Sequence, residues 1–156
     1  MIDQFGRRVE YVRVSVTDKC NLRCVYCMPL DGLDWLKRES LLSYEEIASV
    51  LRTMAGMGLE KVRITGGEPL VRKDLPRLVE MVAEIPGIVD ISLSTNAVLL
   101  ADQAQALRDA GISRVNVSLD SLQEDRVDAI ARRPGSFGRI MEGLDAAEAG
   151  GFDPIK

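Results

Sequence analysis

The chain has 156 residues, a net charge of −4 at pH 7 and 46% hydrophobic residues, enough for one domain with its own core. The mildly acidic balance argues against a nucleic-acid partner, and no apolar run approaches the roughly 18–20 residues of a membrane span. Histidine is absent, so chemistry that needs a histidine base or ligand is excluded within this chain, and the polar, charged residues 1–10 do not read as a signal peptide, which makes a cytoplasmic location the expectation.

In chain order, residues 11–17 predict a strand, followed by a polar loop that carries the cysteines and runs to Ser40. Ser43 ahead of Glu45 and Glu46 predicts a helix start, with the helix ending near Gly58. Residues 61–65 predict the second strand, closed by Gly66 and Gly67. A helix over 74–84 and a strand over 88–94 come next. A helix over 102–110, stopped by Gly111, leads to a strand over 114–119. Helical patterns cover 124–132 and 137–149, and residues 153–156 open a fifth strand. Repeated β-then-α units predict a parallel sheet with right-handed crossovers. No internal linker interrupts them.

The strands alternate instead of running apolar throughout. Val12, Val14 and Val16 alternate with Arg13, Ser15 and Thr17. Val62 and Ile64 alternate with Arg63 and Thr65, and Ile91 and Leu93 with Ser92 and Ser94. Val115, Val117 and Leu119 alternate with Asn116, Ser118 and Asp120, and Ile155 with Lys156. One face would meet the helices and the other is polar in all five strands. Closed (β/α) barrels fill their interior with aliphatic side chains. A polar interior instead predicts an open, wide barrel around a polar ligand, or a sheet with one face in solvent.

All three cysteines lie in Cys20-Asn-Leu-Arg-Cys24-Val-Tyr-Cys27, just past the first strand. An odd count in so tight a cluster is a poor disulfide framework and a good metal cluster. Structural zinc takes four ligands, usually as two separated pairs, so zinc here would need a partner chain. Ferredoxin-type [4Fe–4S] sites use four cysteines. Three thiolates would leave one iron open to a small chelating molecule. Lys19 and Arg23 are expected to favour the thiolates.

The CxxxCxxC spacing after a first strand resembles the signature of the radical S-adenosylmethionine (SAM) superfamily. The resemblance implies that Cys20, Cys24 and Cys27 hold a [4Fe–4S] cluster whose open iron chelates SAM. It also implies reductive cleavage of SAM to a 5′-deoxyadenosyl radical that abstracts hydrogen from the substrate. Thr65-Gly-Gly-Glu-Pro69 resembles the superfamily's GGE motif, which places Gly67 at the cofactor's amino group. Tyr26 matches the aromatic beside the adenine, and Ser118 a further SAM contact. The implied fold is α/β, a partial (βα) TIM-like barrel of the radical SAM type that stops after about four βα units.

Tyr11 to Pro29, Lys61 to Arg72 and Val115-Asn-Val-Ser-Leu-Asp-Ser-Leu122 together resemble the GTP 3′,8-cyclase family of lyases, which open molybdenum cofactor (molybdopterin) biosynthesis. That family converts GTP to (8S)-3′,8-cyclo-7,8-dihydroguanosine 5′-triphosphate. The resemblance assigns Arg13, Arg63, Ser94 and Lys156 to GTP. Each cation could instead pair with a lumen carboxylate such as Asp120. An electron donor of flavodoxin type is implied. Residues 1–156 then read as the N-terminal part of a radical SAM core domain, with the second-cluster domain absent and supplied by a missing half or a partner chain. The chain alone is expected to be incomplete for turnover. Other readings are a peptide-modifying or haem-pathway radical enzyme, or a non-catalytic iron–sulfur module. Thr95-Asn96-Ala97 departs from the family's Thr-Asn-Gly.

Overall fold

A computed structural model describes residues 2–29 and 31–156. Four strands, β1 (Tyr11–Ser15), β2 (Lys61–Thr65), β3 (Asp90–Thr95) and β4 (Arg114–Val117), form one parallel sheet in the order β1-β2-β3-β4. Among the described residues five α-helices accompany them: α1 (Tyr44–Gly56), α2 (Leu75–Ala83), α3 (Ala104–Ala110), α4 (Glu124–Ala131) and α5 (Ser136–Ala149). Among the described residues no helix is long and apolar enough to cross a membrane.

The alternation seen in the strands becomes two faces. Val62, Ile64, Ile91, Leu93 and Val115 are buried in one core with Ile47 and Leu51 of α1, Leu75, Leu78, Val79 and Val82 of α2, Leu107 of α3 and Ile140 of α5. The opposite face carries the polar set. Register places Arg13 beside Arg63, Arg63 beside Ser92, Ser92 beside Arg114, and Ser94 beside Asn116.

Local chemistry sets the helix ends. Ser43 makes a capping box at the start of α1: its hydroxyl accepts from the Glu46 N–H at 3.1 Å, and its own N–H donates to Glu46 Oε2 at 2.7 Å. Gly111 stops α3 at a φ of 122°. The third helix begins at Ala104 rather than 102, because the preceding residues close as turns: the Leu100 N–H bonds the Ala97 carbonyl and the Gln103 N–H that of Leu100. The first and fourth strands are shorter than their patterns suggest, since Val16 and Thr17, and Ser118 to Asp120, already belong to the loops at the strand ends.

The position of a fifth strand is occupied. Ile155 bridges Val115 in parallel, the Lys156 N–H donates to the Val115 carbonyl at 3.0 Å, and the Val117 N–H donates to the Lys156 carbonyl at 2.7 Å. The backbone of Lys156 is therefore paired, and its side chain shares the polar parity of Asn116.

Candidate active site

In a parallel sheet every loop that follows a strand emerges at the same end. The cysteine loop follows β1, Gly66-Gly-Glu-Pro69 follows β2, Thr95-Asn-Ala97 follows β3, and Ser118-Leu-Asp120 follows β4. These four segments touch. The Gly67 N–H donates to the Thr17 carbonyl at 2.7 Å and the Glu68 N–H to the Lys19 carbonyl at 2.8 Å. A Cβ on Gly67 would lie 2.4 Å from the Asp18 and Lys19 carbonyl oxygens. Glycine is thus needed here because two backbones pass in contact.

A second brace comes from α4. The Arg23 and Val25 N–H groups donate to the Ala131 and Ile130 carbonyls at 3.1 and 2.9 Å. Arg132 Nη1 donates to the Met28 carbonyl at 3.1 Å, and Arg133 Nη1 to the Asn21 carbonyl at 3.0 Å. Arg23 folds its guanidinium onto the Cys20 and Leu22 carbonyls, at 2.9 and 2.8 Å, and over the Trp35 ring. Nothing in the local sequence pattern marks Arg132 or Arg133 as neighbours of the cysteines.

The thiols are free, with Cys20 and Cys24 half-buried and Cys27 exposed. Cys20 Sγ accepts from the Leu22 N–H at 3.4 Å and from Asn96 Nδ2 at 3.8 Å. The Arg23 charge favours the Cys20 thiolate, as expected, but burial outweighs it. Burial pushes the Cys20 thiol up, and the Leu22 N–H and the Arg23 charge only partly oppose it. Burial also raises Cys24, with the neighbouring Cys20 adding to the effect. A bound cation such as iron would counter this burial and favour the thiolates. The three thiols feel one another electrostatically. Yet among the described residues no three Cys, Asp or Glu side chains gather on a single ion position. Three thiols in one loop, in a chain with no fourth cysteine and no histidine, are a donor set better suited to an iron–sulfur cluster with one open iron than to a four-ligand structural zinc.

A small cavity of about 20 Å³ is lined by Cys24, Tyr26, Asn96, Ser118 and Asp120 together with apolar residues of α4 and α5. It brings the predicted Tyr26 and Ser118 to Cys24. The Tyr26 hydroxyl donates to Asp120 Oδ2 at 2.9 Å. Partial burial of the hydroxyl, and then this bond, hold Tyr26 protonated well above the ordinary phenol range. Tyr26 as a whole remains 64% exposed, which leaves its ring open to stacking. Asp120 is thereby engaged by a tyrosine, not by Arg13 or Arg63. Arg63 instead donates through Nε to Ser92 Oγ at 3.4 Å and lies over the Tyr11 ring. Among the described residues no carboxylate makes an ion pair with Arg13, Arg63 or Lys156. Asp90, the acid on the same face, is taken by Arg114 and by the Ser113 hydroxyl.

Glu68 and Asn96 both stand in motifs read from the sequence, but the sequence marked neither side chain as functional. Glu68 is 1% exposed. It accepts from Thr95 Oγ1 at 2.7 Å, the Leu70 N–H at 3.1 Å and the Asn96 N–H at 2.7 Å. Burial raises its carboxyl above the usual range despite these bonds. The available signal was a polar Thr-Asn pair directly after an alternating strand, at the end of the sheet that carries the cysteines.

The family model described as "Radical SAM superfamily" matches residues 14–156. The chain is 53% identical over 154 residues to a GTP 3′,8-cyclase of Listeria monocytogenes serotype 4b, covering 99% of this chain and 46% of that one. It is 49% identical over 156 residues to that of Petrotoga mobilis, covering 100% and 48%. It therefore spans about half the length of these curated relatives. Among solved structures, HydG, a maturase of the [FeFe]-hydrogenase, superposes with a TM-score of 0.73 at 14% identity, over 93% of this chain and 34% of that one. Native anSMEcpe with bound AdoMet superposes with a TM-score of 0.71 at 16% identity, over 90% and 41%. Both likenesses concern the fold: the four-stranded parallel sheet is part of a barrel.

Proposed function

The chain belongs to the radical SAM superfamily, and from that premise we propose that it is the N-terminal part of a GTP 3′,8-cyclase, a lyase of molybdenum cofactor biosynthesis. The observation that carries the substrate assignment is the pair Arg13 and Arg63. They stand side by side on the open polar face, without a carboxylate, on the two strands that lead into the cysteine and GGE loops. Arg13 is exposed and Arg63 half-buried, so both guanidinium groups are accessible to an anion from solution. Guanidinium forks match phosphate oxygens, and Lys156 adds a point charge. Ser94 lies on the same face and offers a hydroxyl to the nucleotide. Relatives of the same name at about half identity over the whole chain support this reading.

Cys20, Cys24 and Cys27 would hold a [4Fe–4S] cluster, leaving one iron for the amino and carboxylate groups of SAM. When bound, cluster and cofactor supply one-electron cleavage and hydrogen-atom abstraction. The protein's part is positioning. The Gly67 turn would offer backbone polar groups to the amino group of SAM. The Tyr26 ring, with its hydroxyl fixed on Asp120, would be available to stack on the adenine. Ser118 closes the same cavity. Electrons come from a low-potential carrier of flavodoxin type, and the setting is cytoplasmic. Turnover requires further protein, corresponding to the half of the relatives that this chain does not span.

Anaerobic reconstitution tests the reading. About four irons per chain are expected, with an absorption spectrum that changes on adding SAM, and with GTP binding that weakens in Arg63→Ala. Zinc bound in place of iron, or GTP binding indifferent to Arg63→Ala, overturns it.

A further inference from the structure

We propose that Asn96 is a positioning residue for the iron–sulfur centre, acting through the Cys20 sulfur, and that the buried Glu68 carboxylate is its anchor. The proposal rests on the reading of the three cysteines as cluster ligands and adds a residue that tunes the cluster.

The amide of Asn96 is oriented from both sides. Its Oδ1 accepts from the Val98 N–H at 3.1 Å, which turns Nδ2 toward the cysteine loop. There Nδ2 donates to Asn21 Oδ1 at 2.8 Å and reaches Cys20 Sγ at 3.8 Å. The backbone of the same residue is pinned too. Its N–H donates to Glu68 Oε2 at 2.7 Å, while Glu68 Oε1 takes the Thr95 hydroxyl at 2.7 Å. That hydroxyl in turn accepts from the Ala97 N–H at 2.9 Å. One buried carboxylate thus fixes the turn after β3 against the turn after β2, and the turn aims a single amide at a ligand sulfur. With the Leu22 N–H, two donors converge on Cys20.

The consequence is electrostatic. One-electron reduction of a thiolate-bound cluster adds negative charge that is shared with the sulfurs. Donors to those sulfurs stabilise the reduced state and raise the potential. Loss of the Asn96 donor should therefore make the cluster harder to reduce.

The test uses the whole chain, reconstituted anaerobically as wild type, Asn96→Leu and Asn96→Asp. Iron content is measured, and the reduced cluster is followed by electron paramagnetic resonance through a redox titration. At the wild-type midpoint the ratio of reduced to oxidised cluster should fall about tenfold in Asn96→Leu, a shift of ~59 mV for one electron. Asn96→Asp keeps the acceptor for Val98 but replaces the donor with a carboxylate, and should shift at least as far. Full iron content with an unmoved midpoint in both variants overturns the proposal. If the variants lose iron, the wild type decides: ¹⁵N labelling of asparagine side chains should give nitrogen hyperfine coupling to the reduced cluster, and its absence overturns the proposal. A wild-type chain that takes up no cluster overturns the underlying reading instead, and the proposal falls with it.

Discussion

Gly67 and Glu68 are neighbours with opposite vulnerabilities. Gly67 fails by contact. The Cβ of Gly67→Ala would meet the Asp18 and Lys19 carbonyls at 2.4 Å, and neither is the free end of a flexible side chain. The two loops must separate, at a cost of about 1–3 kcal/mol typical of overpacking. Urea unfolding should show that loss, and iron uptake on reconstitution should fall with it; unchanged stability would mean that the loops are not in contact. Glu68 fails by charge. Its folded carboxyl titrates above the unfolded value because it is buried. The folded state therefore holds this proton more tightly than the unfolded chain does. The associated stability is fully present below the unfolded value, about 4.3, and is lost as pH rises through the folded one. Glu68→Gln removes that dependence. It also sets an amide NH₂ against donors, which costs about 1–3 kcal/mol. Wild type should exceed Glu68→Gln in stability by a margin that narrows as pH rises from about 4.3 toward neutrality. A margin that widens would show the hydrogen bonds outweighing burial.

At the scale of elements, helix α5 is locked to the turn after β3. Gly143 of α5 is the contact: a Cβ there would lie 2.4 Å from the Ala97 carbonyl oxygen and 3.1 Å from the Ala97 Cβ. Ala97 itself sits at a φ of 62°, so the turn needs the left-handed conformation that the family's usual glycine adopts freely. The methyl is fully buried, which offsets part of the strain. Gly143→Ala should lose about 1–3 kcal/mol in denaturant melts. Ala97→Gly should not rescue it, because the nearer atom is a carbonyl; full rescue would place the clash on the methyl. These contacts show what local pattern could and could not reveal. Two-residue alternation put Arg13, Arg63 and Ser94 on one face, because the strand period leaves no other choice. The Ser43 capping box and the Gly111 stop were legible for the same reason: both act within one helical turn. The braces on the cysteine loop were not. Arg132 bonds the Met28 carbonyl across 104 residues of chain, and Asn96 bonds Asn21 across 75. Local composition carries no record of such separations. The cysteine spacing pointed toward a metal site, but the balance of charge and burial around Cys20 and Cys24 emerged only once the loop was folded.

The whole chain carries a net charge of −4, yet the polar face of its sheet carries Arg13, Arg63 and Lys156 with no carboxylate paired to them among the described residues. A highly charged anion therefore meets two opposing fields. Overall repulsion acts over distances beyond the Debye length, about 8–10 Å in physiological salt, and is largely screened there. Attraction at the face acts at contact, where screening is weaker and where guanidinium groups can bond phosphate oxygens directly. The local field should win, but exposed cations also hold counterions that salt restores. GTP binding measured by titration calorimetry should consequently weaken between about 50 and 300 mM salt, on the order of threefold to tenfold. Arg63→Ala should lower affinity by about tenfold, the worth of one charge-assisted hydrogen bond, and should also flatten the salt dependence. Affinity that rises with salt would mean that the net charge governs the encounter and that the face does not receive the triphosphate. Equal affinity in Arg63→Ala with the salt slope intact would move the binding cations elsewhere on the molecule.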